Sequence, residues 1–269
     1  MDTYTAWSAR DAVARIAVPR ESDDKYSRGV LGVITGSSMY PGAAVIGVES
    51  ALRTGVGMVR YLGPAPAAEL VLQRRPEAVT SDGRVQAWLI GSGMDHVERE
   101  SLEQMTEALA RPVPVVLDGG ALDLHEHAAG PIVITPHFRE LARLLDVEVA
   151  EVTADPALWA RTTADTLGVT VLLKGHTTYV AGPGISLRAA SAPTWLATAG
   201  SGDALAGILG ALVATHSQQI QDDPAELARL AATAAVVHGL AAERASGGGP
   251  LTILDLAAAV PATIAGLLR

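Results

Sequence analysis

Short apolar runs that alternate with alanine-rich helical segments constrain the fold of this chain more than any other feature. Runs rich in Val, Ile and Leu end repeatedly in glycine or polar residues, as at 30–38, 86–93 and 113–122. Because these runs are apolar at nearly every position, they predict strands that are buried on both faces, as in a parallel sheet. The sequence therefore predicts an α/β fold with a central, mostly parallel sheet covered by helices on both faces.

The composition restricts the classes of function that need to be considered. The 269 residues show no internal repeat and no linker-like segment, which predicts a single domain over 1–269. Twenty basic and 29 acidic residues give a net charge of −9, which disfavours nucleic-acid binding. The chain has no cysteine, no long apolar run and a start, MDTYTAWSARD, unlike a signal peptide. We therefore expect a cytoplasmic protein that does not bind membranes.

Glycine and polar residues follow five of the predicted strands. In open parallel sheets the carboxyl ends of the strands lie along one edge, which is where ligands bind. Each group alone also has a structural explanation, since turns between strands and helices often need glycine. All five together predict a ligand-binding cleft, and they are Gly36-Ser37-Ser38, Gly91-Ser92-Gly93, Asp118-Gly119-Gly120, Thr135-Pro136-His137 and Lys174-Gly175-His176.

A glycine-rich turn at 197–207, ATAGSGDALAG, leads directly into an apolar helical run. The main-chain N–H groups of Gly200, Ser201 and Gly202, together with the positive end of a helix dipole, predict an anion-binding site. Asp203 has two explanations. It is either the N-cap of the helix or a general base that takes a proton from a hydroxyl attacking a phosphoryl group. A carboxylate placed beside an anion site favours the general base.

Lys174 and His137 also have two explanations each. A lysine at the end of a strand either extends into solvent or contacts a ligand, and the hydroxyls of Thr177 and Thr178 favour a bound nucleotide. His137 is either a surface histidine or a ligand contact. The seven histidines show no metal-ligand spacing, so we expect no protein-bound metal, whereas Mg²⁺ carried by phosphates needs few protein ligands.

Several common active-site motifs are missing from the sequence. No Walker motif and no GxSxG elbow occurs. The Gly91-Ser92-Gly93 turn continues as Met94-Asp95-His96, which does not match the dinucleotide-binding fingerprint GxGxxG. A phosphate site in this chain therefore has to be built in another way.

The order of five segments resembles that of the ADP/ATP-dependent (S)-NAD(P)H-hydrate dehydratases, a nucleotide-repair branch of the ribokinase-like superfamily. The GSGD turn alone indicates only the superfamily, whereas the long first segment and TPH-x-x-E are more specific to the dehydratases. The resemblance runs from about residue 28 to the C-terminus and implies a ribokinase-like fold. The segments are GVITGSSMYPGAAVIGVESALRTGVGMV, VVLDGGAL, ITPHFRELARLL, LLKGHTTYV and LATAGSGDALAGILGALV.

The resemblance implies an activity and a set of site residues. The family transfers a phosphoryl group from ADP or ATP to the C6 hydroxyl of the S epimer of NADH or NADPH hydrate, and then eliminates phosphate. The resemblance implies ADP as the phosphoryl donor, Mg²⁺, and Asp203 as the catalytic base. It also implies a homotetramer that has no fused epimerase domain and depends on a separate epimerase. The hydrated dinucleotide is placed at Ala43, Gly93, His137 and Asp203, and the adenosine nucleotide at Lys174, Gly175, His176, Thr177, Thr178, Gly200, Ser201 and Gly202.

The chain departs from the family pattern at three places. Phe138-Arg139 replaces the usual Pro-Gly, Ala199-Gly200 replaces a double glycine, and the segment beginning at Ser191 lacks a common asparagine.

Two alternative functions would use the same anion site: a small-molecule kinase acting on a vitamin-precursor alcohol, and a nucleotide-binding protein without catalysis. A kinase would release a stable phosphoester, and a binding protein would show no turnover.

Overall fold

The computed structural model of the chain describes residues 4–94, 99–190 and 192–269. Three points of the sequence analysis fall outside the described residues. These are the first three residues of the N-terminal start, the Asp95-His96 pair that follows the glycine turn, and Ser191.

The described residues form a nine-stranded sheet in the order β1-β9-β8-β7-β6-β5-β4-β2-β3. β8 is antiparallel to both of its neighbours, and the other strand pairs are parallel, which confirms the predicted mostly parallel sheet. The short strand β1 and the edge-side strand β9 were not predicted. The strands are β1 (Thr5–Ala6), β2 (Val30–Ile34), β3 (Met58–Tyr61), β4 (Ala87–Ile90), β5 (Val115–Leu117), β6 (Ile132–Ile134), β7 (Thr170–Leu173), β8 (Thr178–Gly182) and β9 (Ile185–Ala189).

Helices cover both faces of this sheet. Alternate residues of one strand point to opposite faces, so Val30 and Leu31 of β2 belong to different hydrophobic cores. No helix in the described ranges is long and apolar enough to cross a membrane. The helices are α1 (Ala9–Val13), α2 (Pro41–Thr54), α3 (Ala65–Arg74), α4 (Arg99–Leu109), α5 (Phe138–Leu145), α6 (Val149–Ala154), α7 (Pro156–Leu167), α8 (Ser201–Thr215), α9 (Ser217–Asp222), α10 (Glu226–Ser246) and α11 (Ile253–Leu267), with 3₁₀ turns at Gly119–His127 and Thr194–Leu196.

Helices α2 and α8 approach each other closely because glycines lie at their contact. A Cβ atom added at Gly207 of α8 would overlap the carbonyl oxygen of Gly47 in α2. A Cβ added at Gly47 would instead be 3.7 Å from the carbonyl oxygen of Asp203. This contact places the first turn of α8, which carries the predicted anion site, beside the first turns of α2.

Substitution of Gly207 by alanine is expected to lower the free energy of unfolding by about 1 to 3 kcal/mol, because the added methyl group forces the two helices apart. The matched control is Gly42→Ala in α2, where an added Cβ meets no atom within 4 Å. That control should lose no stability, since alanine favours a helix more than glycine does. Urea denaturation of both variants measures the difference, and equal stability of the two would contradict the close contact.

Candidate active site

The carboxyl ends of β5 and β7 are joined by a buried ion pair between Asp118 and Lys174. The Lys174 Nζ lies 2.8 Å from Asp118 Oδ1, and the two side chains are 18% and 6% exposed, respectively. Two hydroxyl groups also donate hydrogen bonds to the Asp118 carboxylate. Ser92 Oγ donates to Oδ2 at 2.8 Å, and Thr135 Oγ1 donates to Oδ1 at 2.7 Å. Lys174 therefore does not extend into solvent, and the ends of four neighbouring strands meet at one carboxylate.

Each member of this pair keeps its partner charged. Burial alone would raise the pKa of Asp118, but the charge and hydrogen bond of Lys174, with the two hydroxyls, hold that pKa below its usual value. Burial likewise would lower the pKa of Lys174, but the carboxylates of Asp118 and Glu140 keep it above its usual value. The site therefore contains a buried cation and anion at neutral pH.

His137 and Glu140 form a reciprocal cap at the start of α5. His137 Nδ1 accepts hydrogen bonds from the backbone N–H groups of Arg139 and Glu140 at 3.1 Å each, and Glu140 Oε2 accepts one from the His137 N–H at 2.6 Å. Glu140 Oε2 is also 3.5 Å from Lys174 Nζ. Because Nδ1 accepts, a neutral His137 ring carries its proton on Nε2 and presents a donor there.

Phe138 and Arg139, which replace the usual Pro-Gly of the family, differ in whether they pack against the site. The edge of the Phe138 ring packs against the Lys174-Gly175 turn, where a Cβ added at Gly175 would lie 3.0 Å from Phe138 Cζ. Arg139 is exposed. An alanine at position 175 would therefore require the Phe138 ring to shift by a few tenths of an ångström.

The first turn of α8 forms the predicted glycine turn. Gly200 is the N-cap, with φ +88°, so Asp203 is not the N-cap; it is the third residue of the helix. Glycine suits position 200 because the backbone there is left-handed, and residues with a Cβ atom rarely adopt that conformation. The backbone N–H groups of Gly202 and Asp203 have no backbone acceptor among the described residues, which leaves two donors for an anion.

The Asp203 carboxyl group makes no hydrogen bond with any side chain or backbone group in the described ranges. Burial raises the pKa of Asp203 to about 6, the Asp118 carboxylate adds to that increase, and Lys174 opposes it. A carboxyl group whose pKa lies near neutral pH is suited to act as a general base. This is the chemistry expected of Asp203 from its place behind a glycine turn.

A cavity of about 830 Å³ opens on one side of this turn. Its volume lies within the range of small-molecule sites. Seven of the residues predicted to bind ligand line it: His137, Lys174, Gly175, His176, Thr178, Ser201 and Gly202. The remainder of its wall is mostly apolar, and includes Ala189, Leu196, Leu205, Ala235 and His238. His137, which the resemblance places at the hydrated dinucleotide, thus lies with the residues assigned to the adenosine nucleotide.

The other predicted residues lie outside the lining of this cavity. Ala43 and Gly93 contact each other, because Gly93 has φ +68° and a Cβ there would overlap the Cβ of Ala43. Ala43 lies at the start of α2, which packs against α8, and Gly93 lies in the turn that follows β4. Thr177, Gly200 and Asp203 are adjacent in sequence to lining residues without being among them. The structure therefore separates Ala43 and Gly93 from the residues that line the cavity.

Sequence reasoning gave no role to several residues of this site. Asp118 was noted only as a polar residue at the end of a strand, and Glu140 only as part of TPH-x-x-E. His238 lies inside the alanine-rich helix α10, where nothing in the local pattern distinguishes it from a core residue. Only the packing of α10 against α8 brings His238 to the cavity.

The fold and the site together define a ribokinase-like α/β protein. A solved ribokinase-like superfamily protein from Enterococcus faecalis superposes with a TM-score of 0.86 at 21% identity, covering 99% of this chain and 97% of that chain. The sequence profile described as NAD(P)H-hydrate dehydratase matches residues 31–257. The chain belongs to the NAD(P)H-hydrate dehydratase family.

Relatives and a solved structure from this family are similar to the chain. An ADP-dependent (S)-NAD(P)H-hydrate dehydratase of Neisseria meningitidis is 33% identical over 215 residues, covering 72% of each chain. A bifunctional NAD(P)H-hydrate repair enzyme of Mycobacterium tuberculosis is 42% identical over 223 residues, 78% of this chain and 46% of the relative, so the alignment spans about half of that relative. The Bacillus subtilis ADP/ATP-dependent NAD(P)H-hydrate dehydratase, co-crystallised with ATP/Mg²⁺, superposes with a TM-score of 0.86 at 25% identity, covering 99% of this chain and all of that one.

The ion pair of Asp118 and Lys174 is expected to show strong coupling in a double-mutant cycle. Asp118→Asn and Lys174→Met should each lower the free energy of unfolding by about 3 to 5 kcal/mol, because each leaves one buried charge without its main partner. The double variant should lose clearly less than the sum of the two. Urea denaturation supplies all four values.

The matched control for this cycle is the exposed pair of Arg111 and Asp82, whose atoms also lie 2.8 Å apart but whose side chains are 37% and 59% exposed. Asp82→Asn should cost at most about 1 kcal/mol. Equal costs for Asp82→Asn and Asp118→Asn would show that burial does not set the strength of the Asp118–Lys174 pair.

Proposed function

We propose that the protein dehydrates the S epimer of NADH or NADPH hydrate at the expense of ADP, giving NAD(P)H, AMP and phosphate, with ATP as the alternative donor. The observation that carries the proposal is the Asp203 carboxyl group. It has no hydrogen-bond partner in the described chain, burial raises its pKa to about 6, and it follows a glycine turn in which the N–H groups of Gly202 and Asp203 have no backbone acceptor. The similarity to relatives with this printed activity supports the same conclusion.

The chemistry begins with a proton transfer to Asp203. The carboxylate accepts the proton of the C6 hydroxyl while the hydroxyl oxygen attacks the terminal phosphoryl group of ADP and AMP leaves. The N–H groups of Gly202 and Asp203, at the positive end of α8, stabilise the negative charge on the phosphoryl oxygens. The C6–O bond then breaks, phosphate leaves with the bonding electrons, and a proton is lost from the neighbouring ring carbon to solvent, which restores the double bond of the nicotinamide ring. Phosphorylation is needed because hydroxide is a poor leaving group.

Two groups of residues would hold the two substrates on either side of Asp203. The hydrated dinucleotide would contact Ala43, Gly93 and His137. His137 lines the cavity and offers an Nε2–H donor, so we place it where the two substrates meet. The adenosine nucleotide would occupy the 830 Å³ cavity, held by Lys174, Gly175, His176, Thr177, Thr178, Gly200, Ser201 and Gly202. Lys174 supports a phosphate contact because its Nζ lies only 3.4 Å from the position of a Cβ at Gly202.

Mg²⁺ belongs to the proposal as an ion carried by the nucleotide. In the described residues no group of three or more His, Asp or Glu side chains could hold a metal by itself. Mg²⁺ often binds through substrate phosphates and one or two carboxylates, so such a site fits it. Glu140 is the carboxylate that would hold it, through the Oε1 that the His137 N–H does not bond, since Asp118 is already bonded to Lys174 and two hydroxyls and Asp203 is needed as the proton acceptor. When bound, the ion would neutralise phosphate charge.

The proposal also includes partners. A separate epimerase would convert the R epimer to the S epimer. The protein would also assemble as a homotetramer, which light scattering after gel filtration measures directly.

The experiment that tests the function incubates the protein with S-epimer NADH hydrate, Mg²⁺ and either ADP or ATP. Recovery of the reduced-nicotinamide absorbance, with release of one phosphate per NADH, supports dehydration and identifies the donor. The R epimer serves as the control and should not react. A phosphorylated hydrate that persists without NADH would show a kinase, and nucleotide binding without any turnover would show a binding protein.

Replacement of Asp203 by asparagine is expected to lower kcat by roughly two to four orders of magnitude, because the hydroxyl then has no proton acceptor. ADP binding measured by calorimetry should be retained. The matched control is Asp255→Asn, because Asp255 is also the third residue of a helix, α11, but is exposed and bonded to its N-cap Thr252. A fall in kcat below tenfold for Asp203→Asn would contradict the role as base.

The pH dependence follows from the pKa of Asp203. The general base must be ionised, so kcat/KM should be half-maximal near the Asp203 pKa of about 6, level off roughly one pH unit above it, and fall about tenfold per pH unit well below it. A pH-rate profile between pH 4.5 and 8 measures this limb. A kcat/KM that stays constant down to pH 4.5 would contradict a general base whose pKa is about 6.

A further inference from the structure

The chain contains a single phenylalanine, Phe138, and its ring packs against the turn at 174–176. Two of the three atoms nearest to a Cβ built on Gly175 are the ring carbons Cζ and Cε1 of Phe138, at 3.0 and 3.4 Å. The same side chain packs against the buried cluster that contains Leu141 and Leu173. The Phe138 ring therefore joins this turn to the hydrophobic core.

The turn itself has few backbone restraints. It connects β7 to β8, and the N–H of Lys174 donates to the carbonyl oxygen of Pro136 at 2.8 Å where the turn begins. The backbone N–H groups of residues 175–177 have no backbone acceptor among the described residues, and Gly175 and His176 are exposed. The conformation of the turn at Gly175 therefore depends on packing, and the Phe138 ring supplies that packing.

The position of the ring is fixed from the opposite direction by the start of α5. Phe138 is the first residue of α5 and directly follows the N-cap His137, whose Nδ1 accepts two backbone hydrogen bonds. A parallel β-bridge pairs His137 with Lys174, which keeps the start of the helix beside the turn. Lys174, Gly175 and His176 line the 830 Å³ cavity, whereas Phe138 is not part of its lining. The ring thus contacts the turn from behind the cavity wall.

We propose that Phe138 is a positioning residue of the nucleotide site, whose ring holds the turn at 174–176 in the conformation that binds the nucleotide. A turn that is already ordered loses less conformational entropy when a ligand binds, so the ring increases affinity without touching the ligand. The inference rests on the proposed nucleotide site in this cavity, but it does not require that the protein dehydrates NAD(P)H hydrate.

The first test measures ADP binding by calorimetry, without the second substrate. Phe138→Ala should bind ADP about tenfold more weakly, through a less favourable binding entropy, because the turn then has to be ordered on binding. Phe138→Leu, which keeps an apolar side chain against the turn, should stay within about threefold of wild type. The matched control is Arg139→Ala, since Arg139 is the next residue of α5 but is exposed, and it should bind ADP like wild type.

The kinetic constants separate a positioning role from a general loss of structure. In the dehydration assay, Phe138→Ala should raise KM for ADP by about tenfold and leave kcat within about twofold, because uniform binding is lost. The constant kcat is expected because Lys174 remains paired with Asp118.

A second measurement needs no substitution. Incorporation of meta-fluorophenylalanine labels this ring alone, because the chain has no other phenylalanine. Its fluorine NMR signal should shift in proportion to the fraction of protein that has bound ADP, since the ring contacts the turn that the nucleotide orders.

Four results would overturn the inference. The first is a Phe138→Ala protein that is folded by thermal melting and binds ADP within about twofold of wild type. The second is an equal loss of affinity in Arg139→Ala, and the third is a fluorine signal that does not move at saturating ADP. The fourth is a fall in kcat with an unchanged KM for ADP, which would assign the ring to the catalytic groups. Wild-type protein that shows the expected dependence on Phe138 but does not regenerate NADH would contradict only the proposed function.

Discussion

The ion pair of Asp118 and Lys174 is the interaction on which the site depends. A carboxylate and an ammonium group at the ends of β5 and β7 are buried together, and neither tolerates loss of the other because a lone charge is costly away from water. Ser92 and Thr135 donate to the same carboxylate from the ends of β4 and β6. Four strands are thus fixed at one point, and the lysine nitrogen is held beside the glycine turn of α8.

This arrangement also determines the character of Asp203. The carboxyl group is partly buried and has no hydrogen-bond partner in the described chain, so desolvation favours its protonated form. The nearby Asp118 carboxylate adds to that effect and the Lys174 ammonium group opposes it. Because Lys174 is paired mainly with Asp118, it does not pair with Asp203 as well. The pKa of Asp203 is about 6 because the Lys174 ammonium group, which is paired mainly with Asp118, only partly offsets the effect of burial.

The position of α8 is the second constraint. Glycines at the α2–α8 contact allow the two helices to approach until backbone meets backbone, which brings the start of α2 beside the anion-binding turn. On the other side of that turn, α10 packs against α8 and places His238 in the cavity wall. Asp203 therefore lies in the helix that packs against both α2 and α10.

Local chemistry let the sequence determine the central sheet, the polar residues along its carboxyl edge and the glycine turn at Gly200–Gly202 that begins a helix. Apolar runs, helical spacing and glycine turns each depend on a few neighbouring residues, so they can be recognised without the fold. The tertiary structure alone decided that Gly200 caps α8, that Lys174 pairs with a carboxylate 56 residues away, and that His238 reaches the cavity. Such contacts join distant segments, and the charge, burial and partners of a side chain exist only once those segments have packed together.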